Sequence, residues 1–98
     1  MERYFEWDKV KAKSNIRKHG IRFEEAALVF DDPLALSVQD RIENGEWRWQ
    51  TIGLAAGRLL LVVAHTVFEE EDGAEVVRIF SARPADRKER KRYENGAI

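Results

Sequence analysis

The hydrophobic pattern changes period once along this chain, near Pro33, and that change limits the possible folds more than any other feature. Before it, apolar side chains recur at the spacing of one helical stripe, at Phe23, Ala26, Ala27 and Phe30. Asp31-Asp32-Pro33 ends that helix, because the residue before a proline avoids helical backbone angles. After it, short apolar runs separated by turn residues are typical of strands. Helices followed by strands indicate an α+β fold.

A strand and a further helix are predicted before the helix that contains Phe23. The aromatic segment Tyr4–Trp7 is predicted as an edge strand. A helix is predicted over residues 9–19, with Asp8 as its N-cap and Gly20 as its C-terminal stop. Its apolar positions are few, so we expect it to lie on the surface.

The later part is predicted to form four strands and a last helix. The strands are predicted at Leu34–Val38, Trp47–Leu54, Leu59–Ala64 and Glu75–Ala82, and the helix at Ala85–Asn95, opened by Pro84. The continuous aliphatic run Leu59–Ala64 indicates a central strand covered on both faces. The predicted order is therefore β-α-α-β-β-β-β-α, an antiparallel sheet with two N-terminal helices on one face and a basic C-terminal helix.

Composition narrows the class of protein. The chain has 98 residues and no cysteine, which fits one domain over residues 1–98 and excludes disulfides, thiolate nucleophiles and zinc–thiolate sites. A small domain without disulfides is typical of a reducing cytoplasm. Neither a membrane-spanning run nor a signal peptide is expected. The net charge is −1, but acids concentrate in residues 69–75 and bases in residues 83–92, so the basic end can attract an anion.

Strand alternation predicts a cationic notch. If Ala55–Gly57 forms a three-residue hairpin loop, Arg48 lies opposite Ala64, and if Val67 pairs with Glu75, Ala64 lies opposite Arg78. Two guanidinium groups then flank a small residue and leave room for a phosphate. Trp47, Trp49, Val63 and Ile79 are predicted on the other, helix-covered face. The alternative is that both arginines are ordinary solvated strand residues, and a slip of one residue would place His65 beside Arg48 instead.

The order and spacing of several short motifs resemble one protein family. These motifs are Lys18-His19-Gly20, Phe23-Glu24-Glu25-Ala26, Val29-Phe30-Asp31-Asp32, Ile52-Gly53, Val62-Val63-Ala64-His65-Thr66, Arg78-Ile79-Phe80-Ser81-Ala82-Arg83 and Glu89-Arg90-Lys91-Arg92-Tyr93. Together they resemble the BrnT toxins of type II toxin–antitoxin modules, from Trp7-Asp8 to Tyr93. The chain departs from the family where Trp47 precedes Arg48, a position that often holds an acid, and where Phe80 follows Ile79 in place of a second isoleucine.

The resemblance implies a compact RelE-like fold that cleaves RNA without a metal or another cofactor, inhibiting translation and growth. It also implies neutralisation by an antitoxin with a ribbon-helix-helix part, through which alone the complex would bind operator DNA. We expect attack by the RNA 2′-hydroxyl, which needs a base, an acid and cations around the phosphorane.

Four residues are the candidates for catalysis. Arg48, Arg78 and Arg83 are expected to stabilise the phosphorane, Arg83 because it precedes a helix N-terminus. His65, one of two histidines, is the expected acid or base, and its alternative role is that of a satisfied, half-buried strand histidine. The residues predicted to bind RNA are Lys18, Arg87, Arg90, Lys91 and Tyr93.

Two of these assignments have structural alternatives, and so does the function. Tyr93 can instead pack the last helix onto the sheet, and that helix can be a solvated one held by Asp86–Arg90 and Glu89–Arg92 pairs. The alternative function is a non-catalytic nucleic-acid or protein binding module on the same fold. RNA sequence preference, ribosome dependence and oligomeric state stay open at this point.

Overall fold

Helix α1 forms where its capping residues predict it. The computed structural model describes residues 2–96, so the ends of the predicted 1–98 domain lie outside the described residues. Helix α1 spans Lys9–His19; the Asp8 side chain accepts the Val10 N–H at 2.7 Å, and Gly20 ends the helix with a φ of +71°. Helix α2 spans Phe23–Ala27 and continues as a 3-10 helix, Leu28–Asp31, before Pro33.

Five strands form one sheet. They are β1 (Arg3–Glu6), β2 (Leu36–Glu43), β3 (Glu46–Ala55), β4 (Leu59–Glu69) and β5 (Glu75–Pro84). Their order across the sheet is β1-β5-β4-β3-β2, which confirms the aliphatic strand as the central one. The β2–β3, β3–β4 and β4–β5 pairs are antiparallel, as predicted. The prediction of a purely antiparallel sheet is wrong at one edge, where β1 runs parallel to β5.

Several predicted boundaries are wrong because polar residues extend the strands. β2 begins two residues later than predicted and runs through Glu43 to the Asn44-Gly45 turn, where Asn44 has a φ of +53°. β4 continues to Glu69, and β5 includes Pro84, which therefore does not open the last helix. That helix, α3, spans Arg87–Asn95 and begins after Asp86, whose side chain accepts the Glu89 N–H at 2.8 Å.

The two faces of the sheet are covered unequally. On what we name the core face, α1, α2 and the 3-10 helix bury a cluster that includes Phe23, Val29, Leu61, Val63 and Ile79. This cluster excludes water from most of that face and is the main apolar contribution to stability.

The opposite side of the sheet, which we name the arginine face, carries a smaller cluster. Ile52, Leu60 and Val62 form it, and Tyr93 of α3 packs against them. The two N-terminal helices therefore lie on one face, as predicted, and the basic helix packs on the other face. No helix within residues 2–96 is long and apolar enough to cross a membrane.

The predicted β3–β4 register is wrong by two residues, and the predicted β4–β5 register is wrong by two at Thr66 and by three at Ala64. Ile52 lies opposite Val62 rather than Leu60, because the hairpin turn contains Ala56, Gly57 and Arg58 instead of Ala55–Gly57. Ala56 and Gly57 both adopt positive φ, 53° and 69°, and the Arg58 N–H donates to the Ala55 carbonyl at 3.1 Å. A shift of two keeps every side chain on its predicted face, so the face assignments of β3 are confirmed.

Candidate functional site

A β-bulge in β5 assembles the arginine face. His65 lies opposite Ile79 and Ala64 opposite Ser81, which leaves Phe80 as an extra residue. An extra residue reverses the alternation of the strand beyond it. Arg78, opposite Thr66, and Arg83, opposite Val62, therefore share one face. In a regular strand two residues five positions apart would point to opposite faces.

Phe80 is the platform on which Arg48 lies. The guanidinium carbon of Arg48 is 3.8 Å from the centroid of the Phe80 ring, and the Lys11 ammonium of α1 is 4.9 Å from it. Since β4 separates β3 from β5, the Arg48 side chain must cross β4 to make this contact. The electron-rich ring face attracts both cations, so two elements, β3 and α1, bring positive charge to one aromatic ring of β5.

Two buried polar atoms at this crossing have no hydrogen-bond partner within residues 2–96. They are Nε of Arg48 and Oγ1 of Thr66, and Thr66 is only 3% exposed. The two residues are close in the sheet. Trp49 lies opposite His65, Arg48 directly precedes Trp49, and Thr66 directly follows His65. Leaving a buried donor or hydroxyl unpaired costs about 1–3 kcal/mol. This part of the arginine face is therefore the part where a ligand oxygen would gain most.

The predicted row of Arg48, Ala64 and Arg78 is corrected by this geometry. Thr66, not Ala64, lies opposite Arg78, and Ala64 lies one row away between Gln50 and Ser81. The predicted gap between two arginines is absent because Arg48 stacks on Phe80. The prediction that Arg48 and Arg78 share a face is confirmed.

The arginines differ in how completely acids neutralise them. Arg78 Nη1 is 2.5 Å from Glu6 of β1. Arg48 Nη2 is 3.7 Å from Glu43, and the Arg48 side chain is 18% exposed against 39% for Arg78. The ion pair of Arg48 is thus the longer one, and its charge rests mainly against the Phe80 ring.

Arg83 holds α3 to the sheet rather than standing free at a helix N-terminus. Its two terminal nitrogens each donate to one oxygen of Glu89 at 2.8 Å. This pairing lowers the pKa of Glu89, although partial burial of that carboxyl acts in the opposite direction. The alternative that Glu89 pairs with Arg92 is wrong, since Glu89 pairs with Arg83. The two Arg83 nitrogens that face Glu89 are therefore already engaged in hydrogen bonds.

His65 lies on the core face and is not brought together with the arginines. It is 2% exposed, its Nε2 is 2.7 Å from the Thr51 hydroxyl, and its ring meets Phe30 edge-on at 4.8 Å between centroids. Burial lowers its pKa to about 4, so the imidazole is neutral at pH 7. This matches the alternative of a satisfied strand histidine, more deeply buried than expected.

The residues predicted to bind RNA divide into two groups. Lys18 of α1 and Arg87, Arg90 and Lys91 of α3 are exposed. Tyr93 instead donates its hydroxyl to Asp32 at 2.6 Å and packs on the small cluster, as its structural alternative predicted. That carboxylate raises the pKa of Tyr93 to about 12. Within residues 2–96 no group of three or more His, Cys, Asp or Glu side chains is placed to hold a metal ion.

Three residues of the site were missed from the sequence: Lys11, Thr66 and Phe80. Phe80 follows Arg78 by two positions, so strand alternation alone places it on the same face as Arg78, and this signal was overlooked. Lys11 depends on how α1 docks at the sheet edge. Placing Thr66 beside Arg48 required the correct β3–β4 hairpin turn. That turn depends on the positive φ of Ala56, which the sequence does not indicate.

Comparison with known proteins assigns the family. Residues 7–89 match the family model described as ribonuclease toxin, BrnT, of type II toxin–antitoxin system. The chain belongs to the BrnT family. It is thus a ribonuclease toxin of a type II system, with RNA as its target and an antitoxin as its partner. The BrnT match includes Lys11, Arg48, Thr66, Arg78 and Phe80, whereas Arg90, Lys91 and Tyr93 lie beyond it.

A solved BrnT structure has the same fold. The crystal structure of the ribonuclease toxin BrnT of Brucella abortus, at 1.1 Å resolution, matches with a TM-score of 0.59 and 20% sequence identity. The match covers 89% of this chain and 100% of that one. No curated protein sequence matches the chain.

Proposed function

We propose that this ribonuclease cleaves RNA on the arginine face, without a metal ion, and that Arg48 binds the scissile phosphate. The observation that supports this proposal most is the pair of buried atoms without partners in the described residues, Arg48 Nε and Thr66 Oγ1, beside a guanidinium that lies over the Phe80 ring. A phosphate accepts hydrogen bonds from both groups. Arginine also offers donors in a fixed plane that matches two phosphate oxygens.

The chemistry required of this face is stabilisation of a phosphorane. The 2′-oxygen of RNA attacks the adjacent phosphorus, the 5′-oxygen leaves, and the products are a 2′,3′-cyclic phosphate and a 5′-hydroxyl. Arg48, Lys11 and Arg78 supply positive charge where the phosphorane forms. When phosphate replaces Glu6 on Arg78, that carboxylate is free to accept the 2′-hydroxyl proton, and the leaving oxygen takes a proton from water.

The other predicted site residues take different roles in this proposal. Arg83 anchors α3 through Glu89, and His65 supports the core face, so neither contacts the reacting phosphate. The exposed bases Lys18, Arg87, Arg90 and Lys91 contact RNA phosphates outside the cleavage site. Such contacts make binding weaker as salt rises.

The remaining parts of the proposal rest on the family. We place the reaction in the cytoplasm, where RNA cleavage lowers translation and arrests growth. A ribbon-helix-helix antitoxin neutralises the toxin, and operator DNA is bound only through that antitoxin. The RelE-like character of the fold and its extent as a single domain over residues 1–98 belong to the same proposal.

The test compares Arg48→Ala with Arg58→Ala, a matched change at an exposed arginine of the β3–β4 turn. Arg48→Ala should lower the single-turnover cleavage rate by roughly 10²–10³-fold, the usual loss when one transition-state anion donor is removed. Arg48→Lys should recover little of it, since an ammonium lacks the planar fork. Arg58→Ala should cleave at the wild-type rate.

Two outcomes would contradict the proposal. One is wild-type cleavage by a folded Arg48→Ala protein, which moves the site elsewhere. The other is loss of cleavage in excess EDTA that a single divalent metal restores. RNA binding without any cleavage by the wild-type chain would instead favour the binding-module alternative.

A further inference from the structure

A groove opens on the core face at the end of the sheet that α1 and α2 leave uncovered. Its volume is about 700 Å³, and its walls include Phe30, Trp47, Trp49, Val67 and Val77. Trp47 is 54% exposed although it is one of the largest apolar side chains of the protein. Exposed apolar area of this kind marks a surface that another molecule covers.

The floor of the groove is already organised. The Ser37 hydroxyl lies 2.8 Å from that of Thr51, and Thr51 lies 2.7 Å from His65 Nε2, so these polar groups of β2, β3 and β4 satisfy one another. Because these polar groups are already hydrogen-bonded and His65 is neutral, the floor offers no free charge to bind a charged ligand. It presents a fixed shape, which lowers the entropic cost of docking.

The rim of the groove is acidic. Glu69 and Glu75 line it, and a second hollow formed by residues 68–72 shares Phe68 and Glu69 with it. Glu70, Glu71 and Asp72 line that second hollow. Among the described lining residues the one base is Arg3, whose charge Glu75 matches at 2.7 Å. The field around the aromatic walls is therefore negative, opposite to that of the arginine face.

This charge decides between two occupants. A single strand of RNA would find aromatic rings to stack on, but its phosphates would meet the acidic rim. A protein segment with apolar side chains on one side and lysines or arginines beside them fits both the walls and the rim. The groove thus suits a basic, amphipathic segment of a protein.

We infer that this groove is the surface that receives a basic, amphipathic segment of the antitoxin. The inference rests on the proposed function only in taking the antitoxin as the partner, and it places that partner on the face opposite Arg48. Trp47 is the anchor, because exposed tryptophans at the centre of apolar patches dominate interface energetics.

The experiment uses the full chain and the protein encoded by the adjacent antitoxin reading frame. Trp47→Ala should weaken the measured Kd by roughly 30-fold, the loss typical of an interface hot spot, and leave RNA cleavage unchanged. Leu34→Ala removes an apolar side chain that is 71% exposed outside the groove, and it should change neither quantity.

A second pair of variants tests the charge without touching the core. Glu71→Lys, on the exposed acidic loop, should slow association with the antitoxin by about 10-fold at low salt, and the effect should shrink as salt rises. Glu94→Lys makes the same change on α3, across the sheet, and should leave the association rate at the wild-type value.

The inference is overturned if Trp47→Ala and Glu71→Lys both bind the antitoxin normally, or if Arg48→Ala alone abolishes binding. It is also overturned if Trp47→Ala instead weakens binding of a non-cleavable 2′-O-methyl RNA oligonucleotide, which would make the groove an RNA site. If the wild-type chain fails to cleave RNA but Trp47→Ala still loses the antitoxin, the proposed catalysis fails and the groove assignment holds.

Discussion

The two faces of the sheet use the same three strands for opposite purposes. On the core face, β3, β4 and β5 contribute buried aliphatic side chains that support the helices. On the arginine face the same strands contribute Arg48, Thr66 and Arg78, with two polar atoms left unpartnered. In the proposed function, stability and catalysis are carried by alternate residues of the same three strands, so we expect single substitutions to affect one property and spare the other.

The largest difference between the two faces should appear in the pH dependence of folding stability, which His65 on the core face controls. Its pKa is about 4 in the folded protein and 6.5 in a model peptide, so the unfolded chain takes up the proton first. Stability from neutral His65 is therefore complete above pH 6.5 and declines as the pH falls towards 4. We expect a loss of about 2 kcal/mol between pH 7 and pH 5.

Urea unfolding at both pH values measures this loss. His65→Gln should be less stable at pH 7 but should show a smaller difference between the two pH values. A difference as large as that of the wild type would assign the pH dependence to other groups.

A second large effect on stability is expected at Gly53, under the 3-10 helix. A Cβ there would lie 2.7 Å from Val29 Cγ1 and 3.2 Å from the Val29 carbonyl oxygen. Gly53→Ala should therefore cost about 1–3 kcal/mol through overpacking. Thermal unfolding measures it, and Gly57→Ala is not a suitable control because its φ is +69°.

Arg48 and its neighbours should be unaffected by this change. Cleavage per folded molecule by Gly53→Ala should therefore equal that of the wild type at a temperature where both are folded. A drop in cleavage would show that the two faces are mechanically coupled.

On the arginine face, Phe80→Leu should lower catalysis rather than stability. Leucine keeps the apolar volume but removes the ring that positions the Arg48 guanidinium, a contact worth about 0.5–2 kcal/mol. We expect kcat to fall about 10-fold with KM nearly unchanged. A raised KM with normal kcat would mean that Phe80 contacts RNA directly, for example by stacking on a base.

The smallest effect is expected where α3 meets the sheet. Tyr93→Phe removes the hydroxyl that donates to Asp32 but keeps the ring on Ile52 and Val62. We expect a loss of about 1 kcal/mol. The loss should appear as faster hydrogen exchange in α3 while the core face keeps its protection. Uniformly faster exchange in all elements would show that α3 unfolds only with the whole domain.

Prediction from the sequence succeeded where the signal is local. Asp8 and Gly20 fixed both ends of α1 to the residue, because a capping side chain and a left-handed glycine act within one turn. The alternation of β3 also held, since a register error of two preserves faces. The family was identified from motifs spread along most of the chain, and the family model confirms it.

Prediction from the sequence failed where the geometry depends on distant parts of the chain. The bulge at Phe80 shifts the β4–β5 register by one residue, and neither the sequence around Phe80 nor its spacing marks it. His65 was expected to reach the arginines from the end of the central strand, but β4 continues to Glu69 and His65 points to the core face. The groove combines Phe30, Trp47 and Val67 from separate elements, so it was not anticipated.

The parallel pairing of β1 with β5 determines when this protein can finish folding. Glu6 and Arg78 are 72 positions apart, yet their strands are neighbours in the sheet. During synthesis β1 has no partner within the sheet until β5 has left the ribosome, and contacts of such long range slow folding. Arg78 and Phe80 also emerge last among the residues around Arg48. A nascent chain that ends before β5 therefore has no assembled arginine face, and under the proposed function it cannot cleave RNA on the ribosome that is making it.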